Sequence, residues 1–410
     1  MARDVDIVLF GASGFVGRLT AAHLAAHAPA GTRIALAGRS RERLAAVARD
    51  LGPVAADWPL VVADASDEAS LRTLAQSTHV LVSTVGPYLR HGLPLVQACA
   101  RAGTHYADLT GEVLFVRASI DAADHAARTS GARIVHSCGF DSVPSDLAVL
   151  LAHQWAQAQH AGPLASATLD VLSARGGFSG GTIDSLRLQL DTARRDRHAR
   201  ALLADPYALS PDRASEPDLG PQPDTFGPHR RQTSGERTGE WVAPFVMASY
   251  NTRVVRRSNA LLDHAYGPRL RYTEVMAFSG PTAALQATAV TGVLAGLTAL
   301  LAVQPLRPLL DRLLPAPGTG PSQRTRRTGR FHLRLDARTQ SGRRASVTIA
   351  AQGDPGYAAT AVMLGQSALA LALDGERLPA RAGVLTPATG IGNPLVDRLR
   401  RNGFTIDVAA

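Results

Sequence analysis

The chain has 410 residues, 45% of them hydrophobic, with 43 basic against 34 acidic side chains and a formal net charge of +9. That length and apolar content bury a sizeable core and leave room for two domains. Every basic residue is arginine, which excludes a Walker phosphate loop, Schiff-base catalysis and the Tyr-x-x-x-Lys pair of short-chain dehydrogenases in their usual lysine-dependent forms.

The apolar run Val5 to Phe10 predicts a first strand, and Gly11-Ala12-Ser13-Gly14-Phe15-Val16-Gly17 follows it directly, ahead of a helix-patterned stretch to Ala28. Strand, glycine turn and helix start in that order make a dinucleotide site. Glycines there allow a tight turn, close approach of a pyrophosphate to main-chain N–H groups, and close packing of helix on strand. The candidate cofactor contacts are Gly11, Ser13, Gly14, Phe15, Val16 and Gly17. The next strand, Arg33 to Ala37, ends in Gly38-Arg39-Ser40, roughly 20 residues after the last glycine, where the ribose is read. An acidic residue there would favour a free 2′-hydroxyl. Arg39, backed by Ser40, Arg41 and Arg43, favours a 2′-phosphate, so the expected cofactor is NADP(H).

Helices near Arg41 to Leu51, Glu68 to Gln76, Pro94 to Ala102 and Phe115 to Ser130 alternate with strands at Leu60 to Ala63, His79 to Thr84, Tyr106 to Asp108 and Arg133 to Ser137. This predicts an α/β fold with a Rossmann-type, doubly wound parallel sheet of six strands. Asp64 closes the third strand, within reach of an adenine or able to hold a turn. Ser83-Thr84-Val85-Gly86-Pro87 closes the fourth, beside the expected nicotinamide, so Thr84, Val85, Gly86 and Pro87 join the cofactor set. Cys99 and Cys138 are too few for a disulfide framework or a cysteine-based zinc cluster.

A helix near Ser145 to Gln159 leads to β-like runs at Ala167 to Ala174, Leu270 to Phe278, Phe331 to Ala337 and Arg343 to Ala351. They predict a second α+β domain on a mainly antiparallel sheet. The division expected is residues 1–160 for the NADP-binding domain, 161–352 for a substrate domain and 353–410 for a C-terminal segment, helical from Gly356 to Ala372, that returns to the first. Gly176 to Thr182 reads as a glycine loop offering main-chain N–H groups, Gly180 and Gly181 among them, or as a wide turn. Asp205 to Gly239, dense in Pro, Gly, Asp and Arg, reads as an exposed loop or a partly disordered insertion. No charge falls between Val275 and Leu306, and 281–314 is expected to line or gate an apolar site or to touch a membrane surface rather than cross it. Leu306 to Leu314 is a short amphipathic stretch, followed by a basic loop, Arg324 to Arg330. The arginines are dispersed without an aromatic-rich basic stripe, which argues against nucleic acid and for acidic ligands or anionic lipid headgroups. The thirteen histidines show no ligand spacing, so no metal is expected. No secretory signal precedes the first strand, so the expected location is cytoplasmic, with peripheral membrane contact open.

Beyond the two nucleotide motifs, Thr84-Val85-Gly86-Pro87-Tyr88, Tyr106-Ala107-Asp108-Leu109-Thr110-Gly111-Glu112, Ser137-Cys138-Gly139-Phe140-Asp141-Ser142-Val143-Pro144-Ser145-Asp146, Gly353-Asp354-Pro355-Gly356-Tyr357 and Gly383-Val384-Leu385-Thr386-Pro387-Ala388 occur in this order. Together they resemble the saccharopine dehydrogenase-like oxidoreductases, in particular the bacterial branch of trans-acting enoyl reductases, over most of the chain. The resemblance implies a nicotinamide domain interrupted by a substrate domain, and reduction of a carbon–carbon double bond in an acyl or polyketide chain presented by a separate synthase. The long apolar segment fits an acyl chain better than the charged amino acid of the lysine-forming enzymes. The alternatives are a saccharopine-type C=N or C=O reductase and a non-catalytic NADP-binding protein at a lipid surface; a homodimer is compatible with each.

Enoyl reduction needs a hydride at the β-carbon, a polarised carbonyl and a proton for the α-carbon. Tyr88 and His91 follow the predicted nicotinamide strand and are the candidate proton donors. The alternatives are that Tyr88 packs against the cofactor and His91 is an exposed turn residue. Tyr106, Asp108 and Glu112 follow the next strand and are candidate substrate contacts, with Asp108 alternatively holding the Thr110-Gly111 turn and Glu112 capping a helix. Asp141 and Ser142 either face substrate or cap the helix they precede. Cys138 reads as a small buried residue.

Overall fold

The computed structural model describes residues 3–176, 180–220, 222, 229–233, 236–302 and 320–410. In chain order the strands are β1 Val5–Phe10, β2 Ile34–Gly38, β3 Leu60–Val62, β4 Thr78–Ser83, β5 His105–Asp108, β6 Arg133–Val135, β7 Leu164–Arg175, β8 His229–Thr233, β9 Glu236–Pro244, β10 Arg271–Phe278, β11 Arg330–Thr339, β12 Arg344–Gln352, β13 Gly383–Leu385 and β14 Thr405–Ala409. Seven form a first sheet in the order β13-β6-β5-β4-β1-β2-β3, and every pairing in it is parallel. Its central strands are buried on both faces, as the uninterrupted apolar runs Ile7 to Phe10 and Ile34 to Ala37 require. Between strands, Ser40 and Asp67 accept N–H groups at helix starts, and Gly103 and Gly131, in the left-handed region, end helices.

The second sheet runs β14-β12-β11-β7-β10-β9-β8. It is antiparallel except where β10 lies parallel to β7. Alternate residues of β11 and β12 are buried, so one face packs inward and the other meets solvent. The Val143–Ala158 helix packs on that inner face, and the rings of Phe140, Phe331 and Phe404 stack edge to face at 4.9 and 6.0 Å. The loop that leaves β6 is thereby anchored to the second sheet.

Three local expectations change. The stretch 205–239 is not simply an exposed loop: Tyr207, Ala208 and Leu209 are buried and β8 and β9 form a hairpin. The basic run 324–330 is a helix, Gln323–Thr328, followed by β11. The C-terminal segment feeds both sheets, β13 extending the first and β14 the second. Its apolar helix, Thr360–Leu373, is buried along most of its length against the Phe15–His27 helix and β4. By contrast Ala283–Ala302, which packs on β9 and β10, exposes much of its surface, with Leu285 at 71% and Val293 at 69%. Leu306 to Leu314 lies outside the described residues.

Candidate cofactor site and crevice

Gly11 adopts φ +86°, and a Cβ there would lie 2.6 Å from Thr84 Oγ1. The Thr84 hydroxyl donates to the Phe10 and Gly11 carbonyls at 3.2 and 3.1 Å, so the ends of β1 and β4 are tied together. A Cβ on Gly17 would lie 2.1 Å from the Gly11 carbonyl oxygen, which makes this glycine a packing requirement between helix and turn. The Phe15–His27 helix starts at Gly14 with no side-chain cap and no acidic residue in its first turn. Gly14 is exposed. The positive end of the helix therefore opens to solvent with room for an anion against the backbone.

Ser13 Oγ lies beside Gly38 at the end of β2, and Arg39 follows, exposed. Ser40 is used locally, accepting the Arg43 N–H at 3.3 Å. Asp64 folds a turn, its Oδ1 accepting the Ser66 N–H and hydroxyl at 2.9 and 2.8 Å. Those bonds hold its carboxyl below the usual range, with Arg39 adding to the effect. A phosphate cradle at Gly14 and a free guanidinium one strand away fit the pyrophosphate and 2′-phosphate of NADP(H).

Of the two candidate proton donors, Tyr88 is placed differently from expectation. Tyr88 is 4% exposed and its hydroxyl donates to the Ser83 carbonyl at 3.0 Å. Its ring stacks on Phe115, and burial pushes its pKa far up. It faces the interior and is not positioned to protonate a substrate. His91 is half-buried within electrostatic reach of Arg39 and Asp64; burial, then Arg90 and Arg39, lower its pKa. That places it near Arg39, which follows β2, and Asp64, which follows β3.

Tyr106, Asp108 and Glu112 are fully buried, which corrects their assignment to substrate. Asp108 Oδ1 accepts the N–H groups of Thr110 and Ser137 at 3.1 and 3.0 Å, and Oδ2 pairs with His136 Nδ1 at 2.8 Å. His136 Nε2 lies 2.8 Å from Ser119 Oγ. This Asp-His-Ser row has the order of a nucleophilic triad, but no member is more than 2% exposed and it braces β5 against β6. Glu112 holds the turn that follows β4. Its carboxylate accepts the Tyr88 and Leu89 N–H groups at 2.9 and 2.7 Å and the Ser185 hydroxyl at 2.5 Å. Ser185 belongs to the Gly180–Arg195 helix, which Gly180 and Gly181 open, so these two glycines are helical; Gly177 to Ser179 lie outside the described residues.

The loop after β6 carries the reactive candidate. Ser142 is buried and donates to Asn251 Oδ1 at 3.1 Å, so it is neither a cap nor a substrate contact. Asp141 is half-buried opposite Gly111 and Met247, its Oδ2 3.6 Å from where a Gly111 Cβ would stand. Its side chain makes no hydrogen bond among the described residues, and desolvation pushes its carboxyl up to about 6. The wall beside it is Tyr250, whose hydroxyl lies 2.5 Å from Ser137 Oγ, with Ser137 held at φ +65°.

Residues 7–135 match the saccharopine dehydrogenase NADP-binding domain. A Mycobacterium tuberculosis protein provisionally named a trans-acting enoyl reductase is 50% identical over 98% of this chain and 97% of its own. The trans-acting enoyl reductase of Mycobacterium ulcerans is 48% identical over the same shares. The chain belongs to the trans-acting enoyl reductase family. The saccharopine dehydrogenase (L-Glu forming) of Saccharomyces cerevisiae, at 14% identity, covers 99% of this chain and all of its own with a TM-score of 0.55, a likeness of fold. This member of the trans-acting enoyl reductase family is an NADP-dependent oxidoreductase.

Several residues of this enoyl reductase family member escaped the sequence reading: His136 and Ser119 behind Asp108, Tyr250 and Ser137 beside Asp141, and Ser185 on Glu112. His136 and Ser137 were legible as polar residues at a strand end. Tyr250 and Ser185 reach the crevice from 113 and 73 residues away and carry no local signal.

Proposed function

We propose that the protein reduces the carbon–carbon double bond of an acyl or polyketide thioester presented by a separate synthase, in the crevice at the C-terminal ends of β4, β5 and β6. The observation that carries this reading is the near full-length identity, 50% and 48%, with relatives that bear that name. NADPH supplies the hydride when bound. Glu112 fixes the turn on which the nicotinamide would rest by holding the Tyr88 and Leu89 N–H groups. Asp141 is the proton donor to the α-carbon in this reading: it is the carboxyl at the crevice with no competing partner, and burial keeps a useful fraction protonated near neutral pH.

The test is NADPH oxidation with 2-enoyl thioesters of increasing chain length, with product mass measured. A gain of two mass units in the acyl chain supports the reading. Turnover of a polar amino-acid imine with no enoyl activity replaces it with the saccharopine type.

The exposed side of Ala283–Ala302 supports a further element of this proposal. With Leu285 and Val293 in solvent and no charge on the helix, it suits contact with the apolar chain of the substrate or with a lipid surface, and a cytoplasmic protein working peripherally at a membrane.

A further inference from the structure

The segment 320–329, which belongs to the second half of the chain, crosses the start of the dinucleotide helix. A Cβ on Gly320 would lie 2.3 Å from the Phe15 ring, so this glycine sits directly on the first residue of the Phe15–His27 helix. At the other end, the Gly353 N–H donates to the Gly329 carbonyl at 2.8 Å and the Asp354 N–H to the Arg326 carbonyl at 3.0 Å. Between these anchors the guanidinium of Arg326 lies over the Phe15 ring, 5.2 Å from its centroid. Tyr357 meets the same ring edge-on at 4.9 Å.

Arg326 is short of partners. Its Nε is buried without a hydrogen bond among the described residues. Asp354 is within electrostatic reach, but its oxygens already accept the Tyr357 and Ala358 N–H groups at 3.1 and 3.2 Å. A cation is thus held at the uncapped, positive end of a helix, where an anion would satisfy both. Arg324 and Arg327, its neighbours, point to solvent.

We propose that Arg326 is a second anchor for the dinucleotide, binding the pyrophosphate from outside the NADP-binding domain, with segment 320–329 as a strap across it. The cofactor would then be held at two separate points: Arg39 on the 2′-phosphate and Arg326 on the pyrophosphate. The inference rests on NADP(H) binding and not on which bond is reduced.

Because the pyrophosphate is common to both nicotinamide cofactors, Arg326→Ala is expected to weaken NADPH and NADH equally, each by roughly 10- to 100-fold. Binding of adenosine 2′-monophosphate, which carries the 2′-phosphate but no 5′-phosphate, is expected to stay unchanged, and Arg326→Lys to recover most of the loss. Arg324→Ala is expected to bind like wild type. Equal weakening of adenosine 2′-monophosphate would make the residue a support of the pocket rather than a ligand group, and unchanged NADPH affinity would overturn the proposal outright. Trypsin gives a readout independent of any variant. NADPH is expected to slow cleavage after Arg324, Arg326 and Arg327 at least tenfold while adenosine 2′-monophosphate does not; equal cleavage with and without NADPH contradicts the strap.

Discussion

The Tyr88 hydroxyl donates to the Ser83 carbonyl at 3.0 Å, five residues back along its own chain. The side chain therefore closes the turn after β4 on itself and has no proton to offer the crevice. Tyr88→Phe is expected to keep kcat within about threefold of wild type and to lose about 0.5 to 1.5 kcal/mol of stability, the worth of one buried hydrogen bond. Steady-state kinetics with an enoyl thioester and urea unfolding measure the two. A hundredfold fall in kcat would return the tyrosine to the chemistry.

Asp141 gives a pH prediction with a definite sign. Its carboxyl is raised in the fold from an ordinary 3.8 to about 6, so the protonated form is favoured by folding. Its contribution to stability is fully present below about pH 4 and is lost as pH rises through about 6. Asp141→Asn is expected to be more stable than wild type at pH 8, by up to about 3 kcal/mol before solvent screening is discounted, and indistinguishable at pH 4. Activity moves the other way: kcat/KM of wild type falls as pH rises above about 6, and the asparagine variant loses 100-fold or more at every pH. A variant that keeps both activity and the pH limb would remove Asp141 from proton transfer.

The residues that were legible in the sequence and those that were not differ for a physical reason. Gly11 and Gly17 announce themselves because each answers a backbone demand made within seven consecutive positions, Gly14 stands between them at the helix start, and Arg39 sits at a fixed point of the same strand-turn-helix unit. Tyr88, Tyr106 and Asp108 were placed at the correct strand ends but not in the correct direction. Adjacent residues at a strand end point to opposite sides, and only the packing of Phe115 and His136 against these rings decides which side is interior. β14 and the hairpin of β8 and β9 escaped because their pairing is non-local or set among Pro and Gly; Val347, which β14 covers at Val408, is 61 residues away. The helical character of 323–328 was hidden by its charge, since Ser322 accepting the Thr325 N–H is all that marks its start.

Arg39 stands exposed at the end of β2, with no hydrogen bond of its own among the described residues. Replacing it by alanine would remove a guanidinium partner from a 2′-phosphate bound there and, from the fold, only its attraction to Asp64. NADPH affinity is expected to fall by about 10- to 150-fold, the equivalent of roughly 1.5 to 3 kcal/mol, while NADH binding stays within about twofold. Fluorescence titration of the two reduced cofactors provides the comparison, and an equal loss for both would contradict the ribose assignment.

Gly17 and Gly14 should separate packing from binding. A methyl group on Gly17 would stand 2.1 Å from the Gly11 carbonyl oxygen, a backbone atom that cannot step aside without opening the turn. Gly17→Ala is expected to cost more than about 2 kcal/mol and to lower the unfolding midpoint visibly. Gly14 is exposed, its nearest neighbour that same oxygen at 3.2 Å. Gly14→Val should fold nearly normally and fail to bind either cofactor, because the added side chain occupies the space in front of the helix N-terminus. Circular dichroism melts beside cofactor titrations test the pair.

The apolar helix Ala283–Ala302 carries the last prediction. Ala283 and Ala287 are buried at 1% and 0%, which anchors one side on the sheet, while Leu285 and Val293 stand 71% and 69% exposed on the other. Because these two side chains touch water in the folded state, replacing them with aspartate removes little packing, and the double variant is expected to unfold within about 0.5 kcal/mol of wild type. Burying each on a lipid surface is worth about 1.5 to 3 kcal/mol, so the same change is expected to reduce binding to phosphatidylglycerol vesicles by well over tenfold. NADPH affinity should be untouched. If the helix instead receives the acyl chain, vesicle binding by wild type is absent and the double variant raises KM for long-chain thioesters but not for short ones. A double variant with normal vesicle binding and normal long-chain kinetics would leave this face without a role in either.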